Sequence, residues 1–172
     1  MASLYLIRHA EPDITGLFLG QLDSRLSAAG LLHAQTAMPE IRVAAVYSSS
    51  LRRARETAAY INSPQVVIIE DLREIDFGLW TGKSWLEIER EWPELAQSKS
   101  ADWLGVPAPG GETWAQLLHR VCRAFDQVKA GPQPAAIVAH QAVNAALASL
   151  ATGCDPLAFQ QSYGEVTRVH YD

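Results

Sequence analysis

The sequence predicts an α/β protein built on a mostly parallel central sheet flanked by helices. Three observations carry this expectation. Leu4-Tyr5-Leu6-Ile7 and Ala135-Ala136-Ile137-Val138-Ala139 are short, near-continuous apolar runs, as strands covered on both faces of a parallel sheet require. Val66-Val67-Ile68-Ile69 is a third run of the same kind. Segments of helical period alternate with these strands, which places the chain in the α/β class. At 172 residues, 48% hydrophobic and 19% charged, residues 1–172 fit a single domain with a full core.

After the first strand, Glu11 to Arg25 contains Pro12, Asp13, Gly16 and Gly20 and is expected to cross the strand ends as a loop. Ser27 is the expected N-cap of a helix running to about Met38, where Pro39 stops it. Val43–Tyr47 reads as the second strand, followed by Ser48-Ser49-Ser50. Leu51–Ile61 lacks Pro and Gly and reads as a helix starting near those serines. Val66–Ile69 then forms the third strand.

From Asp71 to Gly111 the periodicity weakens. Four of the five tryptophans, Trp80, Trp85, Trp92 and Trp103, lie here with Pro93, Pro107 and Pro109. Such a segment is either a lid over a binding site or a cover for a sheet edge or core, and residues 80–111 read as a cap. Thr113 and Gln116 have capping-box spacing. Leu117, Leu118, Val121, Phe125 and Val128 continue a helix that Gly131 is expected to end. The strand finishing at His140 follows. An Ala- and Leu-rich helix then runs to about Thr152, with Gly153 as its C′ residue. Val166–Tyr171 closes the chain as an edge strand.

The formal net charge of −5 disfavours nucleic acid as a partner, which would need a basic face. Any anion site must then be local. Cys122 and Cys154 show no metal or disulfide spacing and read as buried or idle thiols. With no cationic leader and no apolar run near ~18 residues, no membrane contact is expected and the protein reads as cytoplasmic. Oligomeric state is not legible.

Two predicted strands deliver a histidine at their C-terminal ends, His9 after Arg8 and His140 after Ala139. Ligands of open α/β sheets bind beyond that edge, so two imidazoles should converge on one site. A metal centre would need further ligands. His33 and His119 lie in helix patterns and His170 in the last strand, none with a ligand-like partner at i+3 or i+4, so no metal or other cofactor is expected. A G-x-S-x-G elbow and Gly-rich phosphate loops are also missing.

Arginine is what the chain supplies: Arg8, then Arg52, Arg53 and Arg55 at a helix start. Guanidinium groups grip phosphate oxygens, and a helix N-terminus offers N–H donors to the same anion. A neutral imidazole is a competent phosphoryl acceptor. Arg52 and Arg55 read as a solvated helix face, whereas Arg53 reads as part of the site.

Six blocks in order resemble the histidine phosphatase (phosphoglycerate mutase-like) superfamily. They are Leu6-Ile7-Arg8-His9-Ala10-Glu11, Gly20–Asp23 with Leu26–Gly30, Tyr47–Ala58, Leu72–Gly82, Pro109–Glu112 and Ile137–His140. The resemblance covers essentially the whole chain. It implies a three-layer sandwich and a metal-independent phosphomonoesterase acting through phosphohistidine on a small phosphorylated substrate. By the match His9 is the nucleophile, Arg8 and Arg53 clamp the phosphoryl oxygens, and His140 gives a further donor. Glu74 is the acid for the leaving oxygen and base for water, with Asp76 as a rival.

Departures from the pattern bear on the site. Ala10 stands where Gly is common, and Gln141-Ala142 where Gly-Gly is frequent. Pro12–Leu19 lacks the Asn and Arg many members carry, so only main-chain contacts are expected from it. Gln21 and Gln141 are further candidates to face the substrate. The compact length and the Asp71–Gly82 block look most like the alpha-ribazole phosphatase branch, which acts late in cobalamin assembly. A phosphohistidine or phosphoprotein phosphatase and a phosphoglycerate mutase-type phosphotransferase are the alternatives on this fold. An inactive phospholigand-binding protein is the alternative of a different class.

Overall fold

In the computed structural model, which describes residues 2–171, strand β1 (Ala2–Arg8) is an inner strand of a five-stranded sheet. Its parallel neighbour is β4 (Ala135–Ala139), and β5 (Val166–Tyr171) runs antiparallel along its other side. Beyond β4 come β2 (Ala45–Ser49) and β3 (Val66–Ile69), both parallel. The order across the sheet is β3-β2-β4-β1-β5.

Alternate strand residues point to opposite faces, and both faces are covered. Leu4, Leu6, Tyr47, Ile137 and Ala139 pack against α5 (Trp114–Lys129) and α6 (Gln141–Thr152). Ile7, Val46, Ala136 and Val138 pack against α1 (Ala28–Ala37) and α2 (Arg52–Ala58). The predicted three-layer α/β sandwich is therefore the observed fold. All five residues of β4 are buried, which is why that strand reads as an unbroken apolar run. β3 is different. It is an edge strand, and Val66 and Ile68 are 50% and 46% exposed. A four-residue apolar run cannot reveal which end of the sheet it occupies.

Helix termini follow the sequence closely. The Ser27 hydroxyl caps α1 by accepting from the Gly30 amide at 2.9 Å, and Pro39 sits in the single 3-10 turn Met38–Glu40 that follows. Gly30 is sterically required, because a Cβ there would stand 2.1 Å from the Glu11 carbonyl oxygen. Thr113 and Gln116 form the expected reciprocal capping box on α5. Gly153 ends α6 in the left-handed region at φ 74°. Gly131 acts otherwise: it has no positive φ, and a Cβ there would strike the Tyr47 hydroxyl.

The second strand starts two residues later than expected and absorbs Ser48 and Ser49. Both are buried and paired with Ile68 and Ile69 of β3, so ladder pairing overrides the turn preference of serine. The helix after it, α2, is shorter than Leu51–Ile61.

Residues 80–111 contain two helices that periodicity missed, α3 (Trp85–Glu91) and α4 (Pro93–Ala101). At seven and nine residues they are too short to be stable alone and depend on tertiary packing. That packing is a separate apolar cluster of Trp80, Ile88, Ala96 and Ala108, with Phe18, Phe77, Trp85, Trp92 and Leu95 against it. Truncating a fully buried indole such as Trp80 costs about 3–5 kcal/mol. Within this segment Trp80 is core while Trp85 borders a cavity. Among the described residues no helix is long and apolar enough to cross a membrane. Cys122 is exposed, not buried.

Candidate active site

Parallel pairing of β1 with β4 brings the two strand-end histidines together. Arg8 is in register with Ala139, and the His9 amide donates to the Ala139 carbonyl at 3.0 Å. The imidazole centroids are 5.0 Å apart. β2 adds Ser49, whose hydroxyl lies 2.8 Å from His140 Nε2.

The protonation of His9 follows from its partners. Nδ1 is 2.8 Å from the Ala10 carbonyl, which can only accept. Nε2 receives the Arg53 Nε–H at 3.2 Å, and a guanidinium can only donate. The proton therefore sits on Nδ1 and the lone pair on Nε2. Burial, then the positive charge of Arg53, lowers the His9 pKa to about 3, with Arg8 adding to the fall and the Ala10 carbonyl opposing it. The imidazole is neutral across the physiological range.

Arg53 is 1% exposed. Its Nη1 donates to the Leu22 carbonyl at 2.6 Å and its Nη2 to the Gly20 carbonyl at 2.8 Å. One N–H on each terminal nitrogen stays available. Burial pulls its pKa down, and Glu74 and Asp23 pull it back. The Arg52 amide at the start of α2 is not available to an anion, because it donates to Asp23 Oδ1. Arg52 and Arg55 are exposed as expected. Arg8 is stacked on the Tyr163 ring at 4.2 Å and donates to the Gln161 carbonyl, while its buried Nε has no protein partner.

His140 is fully buried behind His9 and does not line the cavity. Ser49 Oγ also accepts from the Leu51 amide at 3.2 Å. His140 Nδ1 is a buried ring nitrogen without a protein partner. Burial, then the neighbouring His9 and Arg53, holds the His140 pKa well below the usual imidazole value.

Glu74 lines the cavity, and one of its carboxylate oxygens accepts from the Ile75 amide at 2.9 Å. Burial raises its pKa against the Ile75 amide and Arg53, which lower it. Asp76 lies outside the lining and its carboxylate accepts from the Gly78 amide at 2.8 Å, closing a turn. Gln21 is a correction: its amide donates to the Glu74 carbonyl at 3.3 Å, so it braces that residue and does not reach the cavity. Gln141 does line the cavity, with its amide tied at both ends to the Phe159 carbonyl and the Gln161 amide.

The cavity has a volume of about 270 Å³. Besides Arg8, His9, Arg53 and Glu74, its lining includes the apolar side chains Leu17, Phe18, Leu19, Phe77 and Trp85. Phe18 meets Phe77 edge-on at 4.9 Å and Trp85 at 6.1 Å. Ala10 fits without strain: it is buried, and its amide donates to Thr57 Oγ1 at 3.0 Å. Sequence reasoning missed the roles of Tyr163, Ser49 and Thr57. The latter two stood inside the Tyr47–Ala58 block, whereas nothing near Tyr163 marked it. Among the described residues no three His, Cys, Asp or Glu side chains gather as a metal site.

The sequence pattern of the histidine phosphatase superfamily (branch 1) matches residues 4–172. The chain belongs to that superfamily. This histidine phosphatase is 34% identical over 140 residues to the metal-independent phosphoserine phosphatase of Arabidopsis thaliana, covering 74% of this chain and 58% of that one. It is 30% identical over 150 residues to the adenosylcobalamin/alpha-ribazole phosphatase of Salmonella typhimurium, covering 81% and 74%. The solved alpha-ribazole phosphatase of Shigella flexneri superposes with a TM-score of 0.84 at 28% identity, covering 96% and 89%. The family and these phosphatase relatives make the protein a phosphoric monoester hydrolase.

Two buried neutral histidines make this histidine phosphatase sensitive to acid. Below the ordinary imidazole value of 6.5 the unfolded chain takes up protons that folded His9 refuses until about pH 3. Stability is then fully present above 6.5 and falls as the pH drops through that window, by up to about 1.4 kcal/mol per pH unit for each histidine. Glu74 acts in the opposite direction, since a raised carboxyl pKa loses stability as pH rises. Denaturant midpoints at pH 7.5 and 4.5 should therefore fall further for wild type than for His9→Gln. Equal falls would show that His9 is not buried neutral.

Proposed function

We propose that the protein is a metal-independent phosphomonoesterase working through a phosphohistidine at His9. The observation that carries this is the His9 Nε2 lone pair held among guanidinium groups. Those cations attract a phosphate dianion and disfavour a metal ion at the same place. The phosphoryl oxygens take the Arg8 Nε–H and the free Arg53 N–H groups, each of which lacks an acceptor without substrate, while His140 packs behind His9. The 3.2 Å bond from Arg53 to Nε2 is long and easily released.

His9 Nε2 attacks phosphorus as the P–O bond to the leaving oxygen breaks, and protonated Glu74 gives its proton to that oxygen. Glu74, now a carboxylate, takes a proton from water as the water oxygen attacks phosphorus. The N–P bond breaks, inorganic phosphate leaves, and both residues return to their starting state. A raised carboxyl pKa suits the first of these tasks.

The apolar wall favours a leaving alcohol with a flat, uncharged body. Alpha-ribazole 5′-phosphate, with its benzimidazole ring, is the first candidate. Phosphoserine would set an ammonium and a carboxylate against Leu17, Phe18, Phe77 and Trp85, and burying charge without partners is costly. Initial rates with EDTA present, across 4-nitrophenyl phosphate, alpha-ribazole 5′-phosphate, phosphoserine, 3-phosphoglycerate and a phosphohistidine peptide, test both parts. Alpha-ribazole 5′-phosphate should exceed phosphoserine in kcat/KM by about tenfold or more. A reversed order overturns the substrate reading. Absence of any turnover with chelator present overturns the metal-independent one.

A further inference from the structure

Glu74 lies on a stretch that is neither helix nor strand, between the single turns Glu70–Leu72 and Gly78–Trp80. A carboxyl group on irregular backbone keeps its aim only if that backbone is pinned. The pin comes from α5, about two helical turns beyond the cap at Thr113. Arg120 donates Nη1–H groups to the carbonyls of Asp71 at 2.7 Å and Arg73 at 2.6 Å, and an Nη2–H to that of Glu74 at 3.1 Å. Its Nε–H and remaining Nη2–H go to the two carboxylate oxygens of Glu112 at 2.7 and 2.8 Å.

All five donors of the guanidinium are thereby committed, three to main-chain carbonyls of the stretch Asp71–Glu74. Glu112 completes the frame from the other side. Its amide donates to the Asp76 carbonyl at 2.8 Å, and its carboxylate accepts from the Asp76 amide at 3.3 Å. The pair is mostly buried, with side chains 13% and 14% exposed. Neither residue lines the cavity.

We propose that Arg120, held by Glu112, is the positioning residue that aims the Glu74 carboxyl group at the leaving oxygen. This rests on the reading of Glu74 as proton donor. An ion pair serving stability alone has no need of three carbonyls along the segment that ends at Glu74. Nor would a buried pair be an economical stabiliser, since well-packed apolar residues often do as well. Lysine has the charge but not the planar fork, so Arg120→Lys can satisfy only part of the set.

The test compares two esters that differ in their need for a proton. 4-Nitrophenyl phosphate leaves as a stable phenolate, whereas 2-phenylethyl phosphate leaves as an alkoxide that must be protonated. Arg120→Met should slow the alkyl ester about 30-fold or more and the nitrophenyl ester less than about threefold. Arg120→Lys should fall between wild type and Arg120→Met on the alkyl ester. In a Glu74→Gln background, adding Arg120→Met should change either rate less than about threefold, because the group it aims is gone.

Equal losses on both esters in a folded Arg120→Met protein, or a full further loss in the Glu74→Gln background, overturn the proposal. Glu74→Gln alone separates the two readings. If it slows both esters alike, Glu74 is not the proton donor and the role of Arg120 falls with it. If it discriminates and Arg120→Met does not, only the positioning role falls. Should Arg120→Met fail to fold, Arg120→Lys and Glu112→Gln are read by the same criteria.

Discussion

Replacing His9 with alanine is expected to lower kcat by roughly 10⁴-fold or more and to leave no acid-labile phosphate on the protein. The measurement is rapid mixing with 4-nitrophenyl phosphate, acid-sensitive detection of phosphoprotein, and steady-state rates on the same sample. The effect is large because no other neutral nucleophile stands at that point. His140 is wholly buried behind it, with Nε2 held by Ser49. Alanine also removes a buried group that resists protonation, so the variant should resist acid better than wild type. Retained turnover, or a phosphoenzyme of unchanged yield, would remove His9 from the reaction.

Arg53→Ala is expected to reduce kcat/KM by about 10³-fold, the scale on which a phosphate-clamping guanidinium acts. Two effects combine. Donors to the phosphoryl group are lost, and the carbonyls of Gly20 and Leu22 lose the partner that fixes their loop. Added guanidinium ion separates them. Partial recovery of rate shows that the missing cation matters, while no recovery with a folded protein assigns the loss to the displaced loop. Arg53→Lys should recover little, since an ammonium cannot donate to His9, Gly20 and Leu22 at once. A variant within about tenfold of wild type would remove Arg53 from the phosphoryl clamp.

Much of this architecture was legible because burial on both faces of a sheet leaves a local trace. β4 appears in the sequence as Ala135–Ala139 and in the structure with the same bounds. The caps at Ser27, Thr113 and Gly153 were legible because capping is a short-range hydrogen-bond problem. The shift of β2 was not legible, since Ser48 and Ser49 prefer turns and only pairing with β3 and β4 makes them strand. Helices α3 and α4 were missed for a related reason. Their stability comes from Trp80 and its neighbours across the chain, and no window of seven or nine residues contains that information.

The residues proposed for the site are each named by the chain itself: Arg8 and His9 at one strand end, His140 at another, Arg53 after the serines, and Glu74 in a matching block. Those assignments depend on residue type and order, which the chain carries explicitly. What each side chain faces is set by how the elements cross in the fold. The fold placed Gln21 against the Glu74 carbonyl instead of the cavity, Tyr163 over Arg8, and His140 behind His9. It also brought Arg120 from α5 to the carbonyls around Glu74, 46 residues away in the chain. Hydrogen bonds and ring contacts at such separations arise from the crossing of elements, and local propensity holds no record of them.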